Sequence, residues 1–146
     1  MFDTAAFHLP DDVISKENLP EGLGLIDSLR EFMAPTDAIC KEVVFHSQKY
    51  RNGDLIIVKA KDSNLLEVGI ILSILVKSNN IYFVTRRYEA ERNKNNFFVS
   101  KKVLSDNQTP SFINPLLLAD YKPLVMYGTE QKFKFYLHHH ISYSHE

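Results

Sequence analysis

The sequence predicts a mainly β fold, a small twisted antiparallel barrel that follows a short helical N-terminal segment. Three features of residues 41–146 predict it: apolar runs recur at short intervals, many alternate with polar residues, and polar turn sequences separate them. An open α+β sheet is the alternative. We expect residues 1–40 to form an acidic, partly helical segment and residues 41–146 to form a β-barrel interaction domain.

The segment before the barrel has a helical period. Asn18 can cap a helix whose first turn contains Pro20, and Pro35 ends it. Apolar residues recur at helical spacing at Leu19, Leu23, Ile26, Leu29 and Met33. Two glycines weaken this helix by about 1 kcal/mol each, so we expect it to need the barrel for stability. A shorter turn is predicted over residues 11–16, and a partner-binding amphipathic segment is the functional alternative.

Four strands are predicted between Lys41 and Tyr88, the stretch around which the rest of the chain is organised. They cover residues 43–45, 55–59, 65–76 and 81–88. Asn52-Gly53-Asp54 is a strong turn signal, because Asn and Gly tolerate the positive φ of tight turns. Residues 61–64 and 78–80 are the next turns. Gly69 predicts a bulge or bend in the long third strand.

The second half of the barrel is predicted from shorter runs. Residues 89–96 and 105–114 are polar and indicate exposed loops, with a strand at residues 97–99 between them. Residues 115–119 suggest a short helix or an irregular apolar patch. Pro123 restricts the strand at residues 121–127 to an edge, and residues 128–130 turn into the last strand.

The last strand, residues 131–143, alternates clearly. One face is predicted to carry Phe133, Phe135, Leu137, His139, Ile141 and Tyr143, and the other Lys132, Lys134, Tyr136, His138 and His140.

The net charge of −1 hides an uneven distribution. Residues 1–42 contain nine acidic and three basic residues, a charge of −6, whereas the remainder contains nine acidic and fourteen basic residues, a charge of +5. Either the acidic segment packs on the basic domain, or the domain meets a polyanionic partner and the segment tunes access.

Composition indicates an intracellular protein. The single cysteine, Cys40, excludes an internal disulfide and suits a reducing compartment. No signal peptide is visible. The longest apolar run, residues 68–76, is far shorter than the roughly 20 residues of a membrane span, so we expect no membrane association.

Motifs for catalysis are absent from the sequence: it has no GxGxxG, GxxxxGK[ST], HExxH or GxSxG. Cys40 and His46 have no orienting partner. His138 and His140 would point to one side of a strand and are candidate metal ligands, although zinc would need further ligands nearby. The alternative is a half-exposed strand with His139 turned inward. We expect no cofactor.

A basic cluster interleaved with aromatic residues is the stronger signal. It comprises Arg86, Arg87, Arg92, Lys94, Lys101 and Lys102, with Tyr88, Phe97 and Phe98. Basic loops beside aromatic residues are typical of phosphate contact or of a peptide-binding cleft. A solvated charged face is the alternative, and the modest charge predicts weak, salt-sensitive binding to any nucleic acid.

An aromatic cage is a second candidate site. Tyrosines lie at strand ends or beside turns at Tyr50, Tyr82, Tyr88 and Tyr121. Such rings can surround a methylated lysine through cation–π contacts, with Asp54 or Glu89 completing the cage. Packing alone also places tyrosines at strand ends.

Three stretches resemble the bromo-adjacent homology (BAH) domain family. They are residues 50–58 (YRNGDLIIV), 68–74 (VGIILSI) and 84–91 (VTRRYEAE), followed by Phe98-Val99-Ser100. The resemblance covers residues 45–140 and implies an SH3-like or BAH-like barrel that acts in the nucleus as a non-catalytic, chromatin-associated module. The tryptophan usual in that family's Arg-Tyr strand is missing here. Such β-modules also resemble segments of transposon-derived eukaryotic proteins.

We therefore expect a non-catalytic interaction module that binds a protein tail, such as a histone tail, or a nucleic-acid backbone such as DNA. The predicted contact residues are Tyr50, Tyr82, Arg86, Arg87, Tyr88, Arg92 and Lys94. Arginines would supply charge-assisted hydrogen bonds, and tyrosines apolar area. The alternatives are a metal-dependent enzyme that uses the C-terminal histidines, and an oligomerisation domain that pairs through the edge around Pro123.

Overall fold

A computed structural model of the chain describes the backbone of residues 7–8 and the whole of residues 13–16, 29–78, 80–104 and 111–137. The fold is mainly β, and its large antiparallel sheet curls into a half-barrel. This confirms the predicted mainly β, antiparallel architecture. The finer assignment to an SH3-like or BAH-like barrel stays a prediction.

Thirteen strands and one short 3-10 helix, Pro115–Leu117, are described. The strands are β1 (Phe7–His8), β2 (Ile14–Ser15), β3 (Ala38–Cys40), β4 (Glu42–Phe45), β5 (Gln48–Arg51), β6 (Leu55–Asp62), β7 (Leu65–Lys77), β8 (Asn80–Arg92), β9 (Phe98–Val103), β10 (Ser111–Ile113), β11 (Asp120–Leu124), β12 (Tyr127–Gly128) and β13 (Phe133–Phe135).

The long hairpin of β7 and β8 is the centre of the sheet. The strand order is β11-β6-β7-β8-β9-β13-β12, with β10 added beside β8 and with β3 joining β2 to β7. A separate small sheet has the order β1-β4-β5. All these pairs are antiparallel, so the fold is built from hairpins and from returns across the sheet.

Three apolar clusters form the core. The first contains Tyr88, Phe98, Phe133 and Phe135 with aliphatic residues of β6 and β7. A second cluster joins the small sheet to the hairpin and contains Tyr50, Ile71 and Phe83, among others. The third comprises Leu29, Met33, Ile39, Leu75 and Val84. Because β7 and β8 contribute to all three, both faces of the hairpin are buried along part of its length.

The exposed loop predicted for residues 89–96 is wrong for its first half, because β8 continues to Arg92. Glu89 lies opposite Lys102 of β9, and Glu91 lies opposite Val99. The carboxylate of Glu89 also lies 3.4 Å from the Lys61 ammonium group. These charged side chains therefore belong to a strand that is paired with β9. The pairing satisfies the backbone hydrogen bonds of the strand.

The prediction of a bulge at Gly69 is wrong in position. The register shift between β7 and β8 falls between Ile71 and Ser73. Gly69 has a packing role instead. A Cβ atom at this position would lie 3.3 Å from Cβ and from Cγ2 of Thr85 on the paired strand. The missing side chain therefore allows a close approach of the two strands.

Short strands account for most other differences. The predicted turn at residues 11–16 contains β2, and the predicted loop at residues 105–114 contains β10. β3 and β5 were not predicted. The 3-10 helix confirms a short helix within residues 115–119.

Two predictions fall largely outside the described residues. Of the predicted N-terminal helix, residues 29–31 are helical, and Leu29 and Met33 are buried, whereas residues 17–28 lie outside the described part. Residues 138–143 of the predicted last strand also lie outside it. Within the described residues, no helix is long and apolar enough to span a membrane.

Candidate aromatic and basic binding cleft

Tyr50, a predicted contact residue, lies in the core. Its side chain is 1% exposed, and its ring centroid is 4.8 Å from that of Phe83. The hydroxyl group donates a hydrogen bond to the backbone carbonyl oxygen of Tyr121. Burial, assisted by the nearby Asp120 and Tyr121, raises the pKa of the Tyr50 phenol to about 12. Tyr50 therefore links β5 to β11 and is not placed to meet a partner.

The side chains of the other predicted cage tyrosines lie in three different environments. Tyr88 is 2% exposed and packs edge to face on Phe133 in the first cluster, with the ring centroids 5.0 Å apart. Tyr82 is half-buried against the third cluster. Tyr121 is exposed. Because these rings belong to different clusters, the structure does not assemble the predicted aromatic cage or the predicted tyrosine face.

The arginine pair faces acidic partners within the β domain. Arg86 Nη1 lies 3.1 Å from Glu130 Oε2, and Arg87 Nη1 lies 3.0 Å from Glu67 Oε2. These ion pairs neutralise part of the positive charge that we expected to face a partner.

The remaining predicted basic residues differ in exposure. The Arg92 guanidinium lies 4.9 Å from the centroid of the Phe98 ring, and its Nε donates to the carbonyl oxygen of Ser63. Lys94 is exposed. Among the predicted basic contact residues, Lys94 is thus exposed, whereas the three arginines are half-buried.

A cleft at the β9–β13–β12 end of the sheet combines aromatic and basic side chains. Its volume is about 510 Å³. It is lined by Asn93, Phe97, Val99, Tyr127, Gly128, Lys132, Phe133 and Lys134, and it is bordered by Tyr136, whose ring contacts Phe97 and Tyr127. We call this set the aromatic–basic cleft. Its lining includes two lysines and no acidic residue.

The alternation of residues 132–136, which include β13, builds one wall of this cleft. Phe133 and Phe135 point inward and are 1% and 0% exposed, whereas Lys132, Lys134 and Tyr136 are exposed. This confirms the two faces predicted for residues 132–136. Pairing with β9 fixes the strand, since Lys134 lies opposite Val99 and Phe135 lies opposite Phe98.

A tight hairpin places Tyr127 in the cleft. Residues 129 and 132 exchange backbone hydrogen bonds of 3.0 and 3.1 Å, and Tyr127 lies opposite Lys134. Gly128 has a φ of +115°, and a Cβ atom there would lie 2.5 Å from the carbonyl oxygen of Lys132. Glycine is therefore required where the chain enters this hairpin.

The electrostatics of the cleft favour an anion. Lys134 Nζ lies 5.0 Å from the centroid of the Phe97 ring, a cation–π contact. A cationic ligand such as methylated lysine would have to compete with this ammonium group and with Lys132. An anionic ligand would be attracted by both lysines.

A second, more polar cleft of about 600 Å³ adjoins the first through Asn93. Its charged lining residues are Asp62, Glu91, Arg92, Lys94 and Lys101. Lys101 Nζ lies 3.0 Å from Glu91 Oε2, and this contact raises the pKa of Lys101. Because two acidic residues offset two of its three basic residues, this cleft is less suited to an anion than the aromatic–basic cleft.

The candidate metal ligands His138 and His140 lie outside the described residues. Within the described ranges, no group of three or more His, Cys, Asp or Glu side chains is arranged to hold a metal ion. Cys40 is buried, and His46 is exposed in the turn between β4 and β5.

Of the residues that line or border this cleft, the sequence singles out Phe97 but not Tyr127, Lys132, Lys134 or Tyr136. Their signal was a pair of lysines and a tyrosine at consecutive outward positions of an alternating strand. Comparisons with protein-family models, curated proteins and solved structures found no match to this chain.

Proposed function

We propose that this protein is a non-catalytic interaction module that binds a polyanionic partner through the aromatic–basic cleft. One observation supports the proposal most directly. Two exposed lysines and a set of accessible aromatic rings share a concave surface whose lining contains no acidic residue. Lysines attract the anion and release its counterions, while the rings supply contact area that does not depend on charge.

The class of function is the one predicted from the sequence, but the contact surface is a different one. The arginine pair at residues 86 and 87 becomes part of the ion-paired outer face. A BAH-like, nuclear and chromatin-associated role remains a prediction from the sequence resemblance.

Removing the two cleft lysines tests the proposal. We expect Lys132→Ala combined with Lys134→Ala to weaken binding of end-labelled inorganic polyphosphate and to reduce the salt dependence of its affinity, because fewer counterions are released. Both lysines are exposed, so their loss should leave the fold intact. Fluorescence anisotropy over a series of salt concentrations measures both effects, and thermal unfolding by circular dichroism checks the fold.

A matched variant separates the cleft from net charge. Lys41→Ala combined with Lys122→Ala also removes two exposed lysines, and neither residue lines the cleft. This control should bind polyphosphate almost as well as the wild type. Equal weakening by the two double variants would contradict a cleft-specific site, and undetectable binding by the wild type at low salt would contradict the proposed function.

Self-association is a second candidate function, favoured by a separate apolar surface. Eight large apolar side chains are exposed within the described residues, and five of them lie between residues 116 and 127. The four of these that do not line the aromatic–basic cleft are Leu116, Leu117, Tyr121 and Val125. This surface includes β11, the strand predicted to pair with a second chain around Pro123.

A further inference from the structure

We infer that the polyanion is a single-stranded nucleic acid, whose bases stack on Tyr127 and Tyr136 while its phosphates meet Lys132 and Lys134. This inference rests on the proposed function and specifies the ligand of the same cleft. It depends on how the two tyrosine rings are presented.

The rings of Tyr127 and Tyr136 are open to a ligand. Their side chains are 49% and 48% exposed. The two rings meet edge to face, with centroids 6.1 Å apart and an interplanar angle of 80°. Tyr136 also contacts Phe97, and with about half of each tyrosine exposed the two rings keep surface that is available for stacking.

A third ring fixes the position of this pair. The Phe97 centroid lies 5.7 Å from that of Tyr136, and Lys134 occupies a face of the Phe97 ring. Phe97 is half-buried, so it supports the tyrosines rather than competing with them for a base. Positive charge therefore lies directly beside the open rings.

Stacking surfaces beside lysines distinguish nucleic acid from an acidic protein tail. A carboxylate-rich tail would pair with the lysines and leave the tyrosine faces unused. A nucleotide supplies both a phosphate and a flat π-system, and base–aromatic stacking contributes about 1–3 kcal/mol per base with little dependence on sequence.

The same rings distinguish a single strand from a duplex. In duplex DNA each base is stacked between its neighbours, so a protein ring can reach its face only after the base is unstacked, which costs a few kcal/mol. Bases of a single strand are already free to splay out onto aromatic side chains. The cleft should therefore prefer single strands.

The test compares strands that carry the same phosphates with and without bases. Probes are a labelled oligothymidine of about 12 nucleotides, within the usual range for single-strand-binding folds, and an abasic strand of equal length. We expect the wild type to bind oligothymidine more tightly. Tyr127→Ala combined with Tyr136→Ala should weaken oligothymidine binding by roughly fivefold or more per tyrosine and leave abasic binding unchanged.

Further variants test which side chains contact the phosphates and which contact the bases. Lys132→Ala combined with Lys134→Ala should weaken binding of both strands and lower the salt slope by about 1.4, at about 0.7 per phosphate contact. Tyr121→Ala removes an exposed tyrosine outside the cleft and should change neither affinity. If the double alanine variant unfolds, Tyr127→Leu combined with Tyr136→Leu keeps apolar area without the aromatic faces.

The outcomes separate this inference from the proposed function. Equal wild-type affinity for oligothymidine and for the abasic strand would overturn base stacking while leaving polyanion binding in place. Tighter binding of a matched duplex, or of a polyglutamate peptide, would also overturn it. Binding of neither strand and of no polyphosphate would overturn both.

Discussion

The hydroxyl group of Tyr50 has a partner inside the protein, the carbonyl oxygen of Tyr121, and its ring lies against Phe83. An ionised phenol would lose this hydrogen bond and would place a charge beside Asp120 in a buried site. Burial is the main reason that the pKa of the Tyr50 phenol is raised to about 12, and the charge of Asp120 adds to it.

We therefore predict a loss of stability at alkaline pH that Tyr50 controls. The unfolded chain releases this proton near pH 10, the ordinary phenol value of about 10, whereas the folded chain releases it near 12. The contribution of Tyr50 to the free energy of unfolding is thus complete below pH 10 and declines as the pH rises toward 12. Urea denaturation between pH 8 and about 11.5 measures it.

Tyr50→Phe isolates this titration from the other groups that ionise at high pH. The difference in unfolding free energy between wild type and Tyr50→Phe should shrink as the pH rises above about 10. Tyr136→Phe, at an exposed tyrosine that is not among the groups acting on the Tyr50 phenol, is the control and should show a constant difference. A constant difference for Tyr50→Phe as well would contradict the assignment.

The roles of individual tyrosines were hard to predict because several environments produce the same sequence signal. Tyr50 and Tyr88 adjoin polar turns or charged residues in sequence, yet both rings are buried. Tyr136 was correctly placed on the outward face, since a strict alternation with Phe133 and Phe135 fixed its direction. Periodicity predicts direction within a strand, but burial also depends on which segment covers that face.

At the scale of elements, the β12–β13 hairpin positions the proposed binding surface. It holds Tyr127 opposite Lys134, and its second strand is attached to β9 through the backbone N–H of Phe133, which donates to Ser100 Oγ at 3.0 Å. A change that opens this hairpin should therefore separate the tyrosine from the lysines while the main sheet persists.

Gly128→Ala is predicted to open the hairpin. A positive φ costs a non-glycine residue about 1–3 kcal/mol, and here the new Cβ would also lie 2.5 Å from the Lys132 carbonyl oxygen. We expect a lower free energy of unfolding and weakened polyphosphate binding. Chemical denaturation and anisotropy measure the two effects.

Gly53→Ala is the matched control for this substitution. Gly53 also has a positive φ, +92°, but no atom lies within 4 Å of the position that its Cβ would occupy. It should therefore show the backbone cost alone and retain normal binding. If the two variants lost equal stability and equal affinity, the clash with Lys132 would not be the cause.

Element boundaries were predictable where the apolar pattern was dense and less so where charges dominated. The β7–β8 hairpin followed from its long apolar runs and the turn near residue 78. The continuation of β8 through Glu89 and Glu91 was missed, because its outer face carries charges that pair with Lys61 and Lys101. A charged run on a paired strand resembles a loop when the sequence alone is read.

At the scale of the whole molecule, the uneven charge has a partial structural explanation. Asp37, from the acidic segment of residues 1–42, is 1% exposed and pairs with Lys77 of β7 at 2.7 Å. The same carboxylate oxygen, Oδ2, also accepts a hydrogen bond of 2.8 Å from the backbone N–H of Ala34. This favours the interpretation that the acidic segment packs on the basic domain, at least around residue 37.

The sequence of β7 is apolar on both faces, but it does not identify what covers each face. Val68 and Ile70 face the first cluster, whereas Ile71 and Ile74 face the second. Ile70 and Ile71 differ by the ordinary alternation of a strand, and the register shift between Ile71 and Ser73 puts Ile74 on the same face as Ile71. The pairing of β7 with other strands of the sheet determines these contacts, and no local sequence pattern predicts that pairing.

Self-association through the surface at residues 116–125 is the last prediction. Leu117 and Leu116 are 75% and 59% exposed, and burying them between two copies would remove apolar area from water. We expect the mass measured by light scattering to rise with protein concentration, and Leu116→Ser combined with Leu117→Ser to abolish the rise. Val103→Ser, which changes an apolar side chain of similar exposure on β9, should leave the rise unchanged. A monomeric mass for the wild type at every concentration would rule out this candidate function and leave the aromatic–basic cleft as the proposed binding surface.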